Sequence, residues 1–384
     1  MKHHKNSAGY ARKDRIIVED YAGKLAEVIV GYSTEVRAGD FVGIIGEEPA
    51  QELIEALYAA VIERGGHPTV RIENTALTEY KLGLGSREQA EFSDPVDELL
   101  YGETDVLLRV SAPRHSQPYA AIEADRLAQY NRGLGPRLHM LMDRIGEGAV
   151  RYCMVAWPSD GIAQQTGMGT HAYEDMLYRA SGLHQKDPVA YWEEVATSQN
   201  ALVAWLEGRS RVHVQGPDID LTFSVEGRRW VSAHGKLNFP DGEIFTGPVE
   251  DSVEGSVQFN LPSLSYGQEV RGAKLHFKAG TVVEASAEMG QDFLRHQLSL
   301  DHGAGRLGEF AIGTNPGVTR LTGSTLLDEK IGGTIHMALG RSISETGGVN
   351  ESQIHWDLVH DMKSGGTINV DDELFYRNGE FVVE

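Results

Sequence analysis

The 384-residue chain holds a single cysteine, Cys153. One thiol excludes an intramolecular disulfide, a cysteine-based zinc knuckle and an iron–sulfur cluster, so any metal must be held by His, Asp and Glu. Positive charge is also scarce: 35 Lys and Arg stand against 56 Asp and Glu, a formal charge of −21. A phosphate backbone rewards the opposite sign, which argues against nucleic acid or an anionic membrane as partner. No apolar run approaches bilayer-spanning length, and residues 1–14 are polar and basic with nothing resembling a signal peptide. The cytoplasm is the expected address. Apolar residues still make up 41% of the chain, ample for a packed interior, and 44 glycines imply many tight turns. A chain this long exceeds what one hydrophobic core usually serves, so two domains are expected.

The first half alternates strand and helix. Phe41-Val42-Gly43-Ile44-Ile45 is a short apolar run closed by Gly46, and Pro49 opens an amphipathic stretch over residues 51–64 that Gly65-Gly66 stops. Strand-like runs recur at 68–72, 105–110 and 152–157, with a helical pattern at 120–130. The economical reading is a set of βαβ units with a mostly parallel sheet. Asp187-Pro188 supplies an N-cap and a first-turn proline for a bridging helix that runs to about residue 207. From Arg211 onward the texture changes to short β-rich segments at 211–214, 221–225, 257–259, 274–277 and 281–284, interrupted by a helix around 291–300. The expected fold class is therefore an α/β N-terminal domain over residues 1–200, bridging helix included, followed by a β-rich (α+β) domain over 201–384.

Several features carry no chemistry. Gly43-x-x-Gly46 leads into Glu47-Glu48, which would repel phosphate, and no Lys-Ser/Thr follows. Gly133-Leu134-Gly135, followed by Pro136, reads as a turn. Cys153 lies in an apolar run and reads as a buried structural thiol rather than a nucleophile. The chain has no Gly-x-Ser-x-Gly elbow to support a serine hydrolase.

The run Ile354-His355-Trp356-Asp357-Leu358-Val359 is more informative. Its β-branched and aromatic residues favour an extended chain, which sends alternate side chains to opposite faces. One face then carries His355 and Asp357, the other Ile354, Trp356 and Leu358. An imidazole and a carboxylate aimed into one pocket suit a divalent metal, although a structural His–Asp hydrogen bond has the same pattern. Three further polar residues sit in apolar surroundings: Glu243 after the turn Pro240-Asp241-Gly242, Glu309 within Leu307-Gly308-Glu309-Phe310-Ala311, and His336 within Thr334-Ile335-His336-Met337-Ala338. A buried carboxylate without a partner is costly, so such residues should be paired or bound to metal. Together they make five oxygen and nitrogen donors, about what two divalent ions require with positions left for water.

The segments Asn238-Phe239-Pro240-Asp241-Gly242-Glu243-Ile244-Phe245-Thr246, Leu307-Gly308-Glu309, His336-Met337-Ala338-Leu339-Gly340 and Asn350-Glu351-Ser352-Gln353-Ile354-His355-Trp356-Asp357 resemble the ordered motifs of the thermophilic metalloprotease family of aminopeptidases, the aminopeptidase T and S type. The resemblance covers most of 210–380 and, more weakly, the first half. It implies that Glu243, Glu309, His336, His355 and Asp357 bind two divalent ions, zinc, cobalt or manganese, in the C-terminal domain of a homodimer. One position departs from the pattern: where the family usually has a tyrosine seven residues after the first metal-binding histidine, this chain has Ile343.

The resemblance implies a metallo-aminopeptidase. A water activated by two cations attacks the first amide bond of a peptide, or of another amide with a free amine, and Glu309 or Glu243 carries the proton. The acidic pair Glu250-Asp251 reads either as a contact for the substrate amine or as a solvated loop. Two other readings stay open. Ring-opening dihydroxypyridine dioxygenases resemble this scaffold distantly, use one non-haem iron and have a histidine where Glu309 stands, so Glu309 favours the hydrolase. Ile343 alone encourages a non-catalytic binder that keeps metal for stability.

Overall fold

The computed structural model describes residues 20–119, 121–265 and 268–383; the polar stretch 1–14 lies outside them. Strands β1 (Phe41–Glu47), β2 (His67–Glu73), β3 (Val106–Ser111) and β4 (Arg151–Ala156) pair in parallel in the order β2-β1-β3-β4. Parallel neighbours need crossovers, and helices such as Gln51–Glu63 and Ala124–Gly146 supply them. Val42, Ile44, Leu108 and Val155 from the sheet pack with Leu53, Leu57 and Val61 from the first of these helices. Cys153 is buried in the same cluster, and burial pushes its thiol above the ordinary range. This is the expected α/β unit.

The turn expected at Gly133-Leu134-Gly135-Pro136 is not there. These residues lie inside the helix Ala124–Gly146, and the helical pattern noted over 120–130 is only its beginning, residue 120 itself lying outside the described residues. Tertiary contacts override the local signal. Gly133 lies against the backbone of Glu91, where a Cβ would collide with the carbonyl oxygen, and just past the proline Arg137 is tied to Asp97 at 2.6 Å. An interior proline forfeits one helical hydrogen bond, a loss these contacts offset.

The bridging helix is Pro188–Leu206, opened by Asp187, whose Oδ1 accepts from the Ala190 N–H at 3.1 Å. Beyond it come β5 (Arg211–Gly216), β6 (Ile219–Ser224), β7 (Val231–Ala233), β8 (Asn238–Phe239), β9 (Glu243–Thr246), β10 (Glu254–Gln258), β11 (Ser263–Ser265), β12 (Gln268–Val270), β13 (Lys274–Lys278) and β14 (Thr281–Ser286). The helix Gln291–Leu298 separates these from β15 (Leu307–Gly313), β16 (Thr334–Gly340), β17 (His355–Asp361), β18 (Thr367–Val370), β19 (Glu373–Arg377) and β20 (Glu380–Phe381). Short β8 crosses over and pairs with β4, extending the parallel sheet of the first half.

Two antiparallel sheets dominate this β-rich region: β14-β13-β10-β6-β5-β18-β19-β20 and β17-β16-β15-β9-β7. Between them lies one apolar core, to which the first contributes Val214, Leu221 and Leu275 and the second Phe310, Met337, Leu339, Trp356 and Leu358. Alternation along the strands, shifted once in β15, leaves the opposite face of the five-stranded sheet free for polar side chains. Among the described residues no helix is long and apolar enough to cross a membrane.

Candidate metal centre

Register places all five sequence-derived residues on that free face. Residues directly opposite in an antiparallel pair share a face, and Glu243 lies opposite Gly313, His336 opposite Ala311, Glu309 and Asp357 both opposite Ala338, and His355 opposite Gly340. Each of these acids and imidazoles therefore faces a glycine or an alanine on at least one neighbouring strand, and His336 faces Val359 on the other. Cross-strand neighbours this small leave a trough above the sheet in which the polar heads can meet. Odd-numbered positions of β17 point into the trough, whereas Trp356 and Leu358 point into the core.

Local irregularities aim two of the acids. The β15–β16 register shifts between Leu307 and Glu309, a bulge that turns the strand at the point where the carboxylate must enter the trough. Gly308 permits it, since a Cβ there would collide with the carbonyl oxygens of Gly340 and Arg341. Gly242, with φ of 132°, packs against Asn315 and delivers Glu243 to the start of β9.

The heads converge. His336 Nε2 lies 3.4 Å from Glu243 Oε2 and 3.7 Å from Glu309 Oε1. His355 Nε2 lies 3.1 Å from Glu309 Oε2 and 3.6 Å from Asp357 Oδ1. On its other nitrogen, His355 donates from Nδ1 to the Arg341 carbonyl at 2.8 Å. A carbonyl can only accept, so in the neutral ring Nε2 presents a lone pair to two carboxylates, the arrangement that suits a metal ligand.

Three residues that the sequence did not flag complete the site. Glu329 joins Glu243 and His336 in one group whose ligand atoms all lie within 4.8 Å of one another, and Glu309, His355 and Asp357 form a second such group. Lys330 is 1% exposed and its ammonium contacts Glu243, with Glu329 at 3.1 Å and Asp241 at 3.7 Å. Asp241 is buried as well, its Oδ2 accepting from the Gly235 N–H at 2.9 Å. In sequence, Asp328-Glu329-Lys330 looks like a solvated charge run; only the apolar neighbours Leu326-Leu327 and Ile331 hinted that it is enclosed. Glu250 does not serve as a free anion, because it pairs with Arg228 and accepts from the Val349 N–H at 2.8 Å. Ile343 sits half-buried in the β16–β17 connection, its carbonyl accepting from the N–H and hydroxyl of Thr346 at 3.1 and 2.7 Å.

The electrostatics call for cations. Burial and the neighbouring Glu329 push the Asp357 carboxyl well above the usual range. Burial also raises Glu243, although Lys330 and His336 oppose it. Burial would raise Glu309 too, but the imidazoles of His336 and His355 facing it outweigh that and hold it well below. Both imidazoles are raised in turn: burial lowers them, and the facing Glu309 overcomes it, lifting His336 to about 9 and His355 to about 10. Only with both imidazoles neutral and all five carboxylates of Asp241, Glu243, Glu309, Glu329 and Asp357 ionised, the state in which they can act as ligands, would the acids outnumber the single ammonium of Lys330 by four. Glu243 Oε2, Asp357 Oδ1 and both nitrogens of His336 are buried without a hydrogen-bond partner. Unpartnered lone pairs of this kind, supplied by oxygen and imidazole nitrogen, fit hard or borderline divalent cations.

An α/β unit is thus joined to a β-rich unit whose polar trough gathers carboxylates and imidazoles in two groups that could each hold a metal ion. Residues 19–381 match the model of the thermophilic metalloprotease (M29) family, and the chain belongs to that family. Aminopeptidase T of Thermus aquaticus is 35% identical over 210 residues, covering 48% of this chain and 51% of that protein. This chain thus spans about half the length of that relative, and 61% of Aminopeptidase T of Thermus thermophilus at 33% identity over 57% of its own length. Aminopeptidase 2 of Geobacillus stearothermophilus is 26% identical, with 94% of this chain and 97% of that one covered. The fold is that of wild-type AmpT from Thermus thermophilus, with a TM-score of 0.84 at 24% identity over 94% of this chain and 99% of that one. A 2,5-dihydroxypyridine dioxygenase from Pseudomonas putida shares the fold more loosely, with a TM-score of 0.56 at 13% identity over 94% and 97%.

Proposed function

We propose that this protein is a metal-dependent aminopeptidase that hydrolyses the N-terminal amide bond of small peptides, or of other amides with a free amine, using two divalent cations. The observation that carries the reading is the convergence of Glu243, Glu309, His336, His355 and Asp357 on one sheet face, each opposite a glycine or alanine. Glu243 and His336, with Glu329, would hold one cation, and Glu309, His355 and Asp357 the other. Zinc, cobalt and manganese all suit these donors. When bound, the cations supply Lewis acidity toward the scissile carbonyl and make the attacking water more acidic.

The chain's own residues do the rest. Arg341 holds His355 in the tautomer that keeps Nε2 free. A carboxylate of the pair Glu309/Glu243 takes a proton from the attacking water as its oxygen bonds to the carbonyl carbon. The same group returns the proton to the departing amine nitrogen as the C–N bond breaks. The net acidic trough favours the protonated terminus of an unblocked peptide over an acylated one.

We further place the division between the two units near residue 200, as 1–200 and 201–384, and propose a cytoplasmic homodimer, a reading supported by the family resemblance. The test is a panel of short peptides, free and N-acetylated, incubated with cobalt-loaded protein. Release of the first residue from the free peptides alone is expected; cleavage indifferent to acetylation, or oxygen uptake with a dihydroxylated ring, rejects the assignment. Light scattering of the purified chain reads the assembly, where a monomer mass would contradict the dimer.

A further inference from the structure

The two ligand groups differ in one respect that their donor types do not reveal. Lys330 is enclosed among Asp241, Glu243 and Glu329, and its ammonium already occupies Glu243 Oε1 and a carboxylate oxygen of Glu329. It has no way out: the side chain is 1% exposed, its backbone N–H donates to Leu327 at 3.1 Å and its carbonyl accepts from Asn315 at 2.9 Å. A cation entering the Glu243/Glu329/His336 group must therefore share two acids with a fixed like charge. Around Glu309 and Asp357, the ion pairs found among the described residues are with His336 and His355 alone.

Access reinforces the asymmetry. His355 is 32% exposed, whereas His336 is fully buried and the Glu243 side chain is 7% exposed. Glu329 is 15% exposed and Glu309 and Asp357 are 4% and 6%, so His355 is the most open ligand of either group and the one an ion from solvent meets first.

We propose that Lys330 makes the two cation positions unequal: the Glu309/His355/Asp357 group fills first and tightly, and the Glu243/Glu329/His336 group fills second and weakly. A fixed charge a few ångströms from the incoming ion, even at the high effective dielectric that suits protein sites, separates the two affinities by at least about tenfold. Lys330 is a positioning residue here. It holds the acids of the second group together before an ion arrives, and it sets the free-cation concentration at which that group loads. The inference rests on the metal reading above.

The test uses Co²⁺ as probe on full-length protein stripped by chelator. Equilibrium dialysis should show two ions per chain in steps separated by at least about tenfold. Crystals grown with one equivalent should give an anomalous cobalt peak at Glu309/His355/Asp357 only. Lys330→Met, which keeps the side-chain bulk and removes the charge, should narrow the gap between the steps by about tenfold. Equal steps in the wild type, a first peak at the Glu243 group, or an unchanged gap in the variant would each overturn the proposal. If Lys330→Met does not fold, the wild-type isotherm and the anomalous peak decide it. Failure to bind any cobalt would instead overturn the metal reading itself, and the inference with it.

Discussion

Glu309 and Asp357 stand opposite the same residue, Ala338, one on each neighbouring strand. The methyl group between them is small enough for both carboxylates to lean over it. Ala338→Leu would fill the trough where the heads meet, at a cost in overpacking of about 1–3 kcal/mol. Activity should fall by at least about 100-fold and cobalt binding should be lost, while circular dichroism still reports a folded β-rich protein. Calorimetric titration with Co²⁺ checks this; wild-type binding would show that the space above Ala338 is not used.

Removing single donors should separate chemistry from folding. Glu309→Gln keeps the shape but gives up a charge, and His355→Ala removes the imidazole that is open to solvent. Each is expected to lower kcat/KM by at least about 10²-fold, on the scale of losing one preorganised charge-stabilising group. Circular dichroism of the metal-free variants should still report the wild-type fold, because neither side chain belongs to the apolar core between the sheets. Full turnover in either variant would mean that the ligand set is wrong.

Cation binding should stabilise the fold. Buried carboxylate and imidazole atoms without hydrogen-bond partners are left unsatisfied until an ion arrives, and an ion that binds only the native state adds about 2.7 kcal/mol at a hundred times its Kd. Scanning fluorimetry should show the melting temperature rising by several degrees with Co²⁺ and falling back on adding chelator. Insensitivity to both would argue against a resident metal.

Ile343 gives the prediction with the opposite sign. Its side chain cannot donate a hydrogen bond at the position where the motif resemblance leads one to expect a tyrosine. Ile343→Tyr should raise kcat by about 10- to 100-fold with little change in KM, the signature of a contact made mainly in the transition state. Steady-state kinetics on one free dipeptide suffices. A fall in kcat would mean that this chain has shaped its site around the isoleucine.

Much of the fold was legible because burial and period agree in it. The run at 354–359 reads as a strand with two faces, and β17 has those faces: Trp356 and Leu358 in the core, His355 and Asp357 in the trough. The parallel strands β1 to β4 were equally plain as short apolar runs between helical patterns. What escaped was whatever depends on distant partners. Gly133 to Pro136 carries every local mark of a turn, yet the backbone of Glu91 and the carboxylate of Asp97 hold it in a helix. Asp241, Glu329 and Lys330 look like surface charges, and only the tertiary fold encloses them. Lys330 in particular has no local signal, since a lysine among acids is usually solvated.

Strand β8 has a consequence for how such a molecule can be taken apart. Residues 238 and 239 are spent on the edge of a sheet built otherwise from the first half, with only three residues between them and Glu243. Asn315 adds a second strap, its amide donating both to Ala180 at the end of a first-half helix and to Asp241 at 2.7 Å. Cutting near residue 200 would strip β4 of its neighbour and loosen the turn that delivers an acid to the trough. The halves are thus sequential along the chain but interlocked in space, and a recombinant fragment of either would carry an unfinished edge where its complement had been.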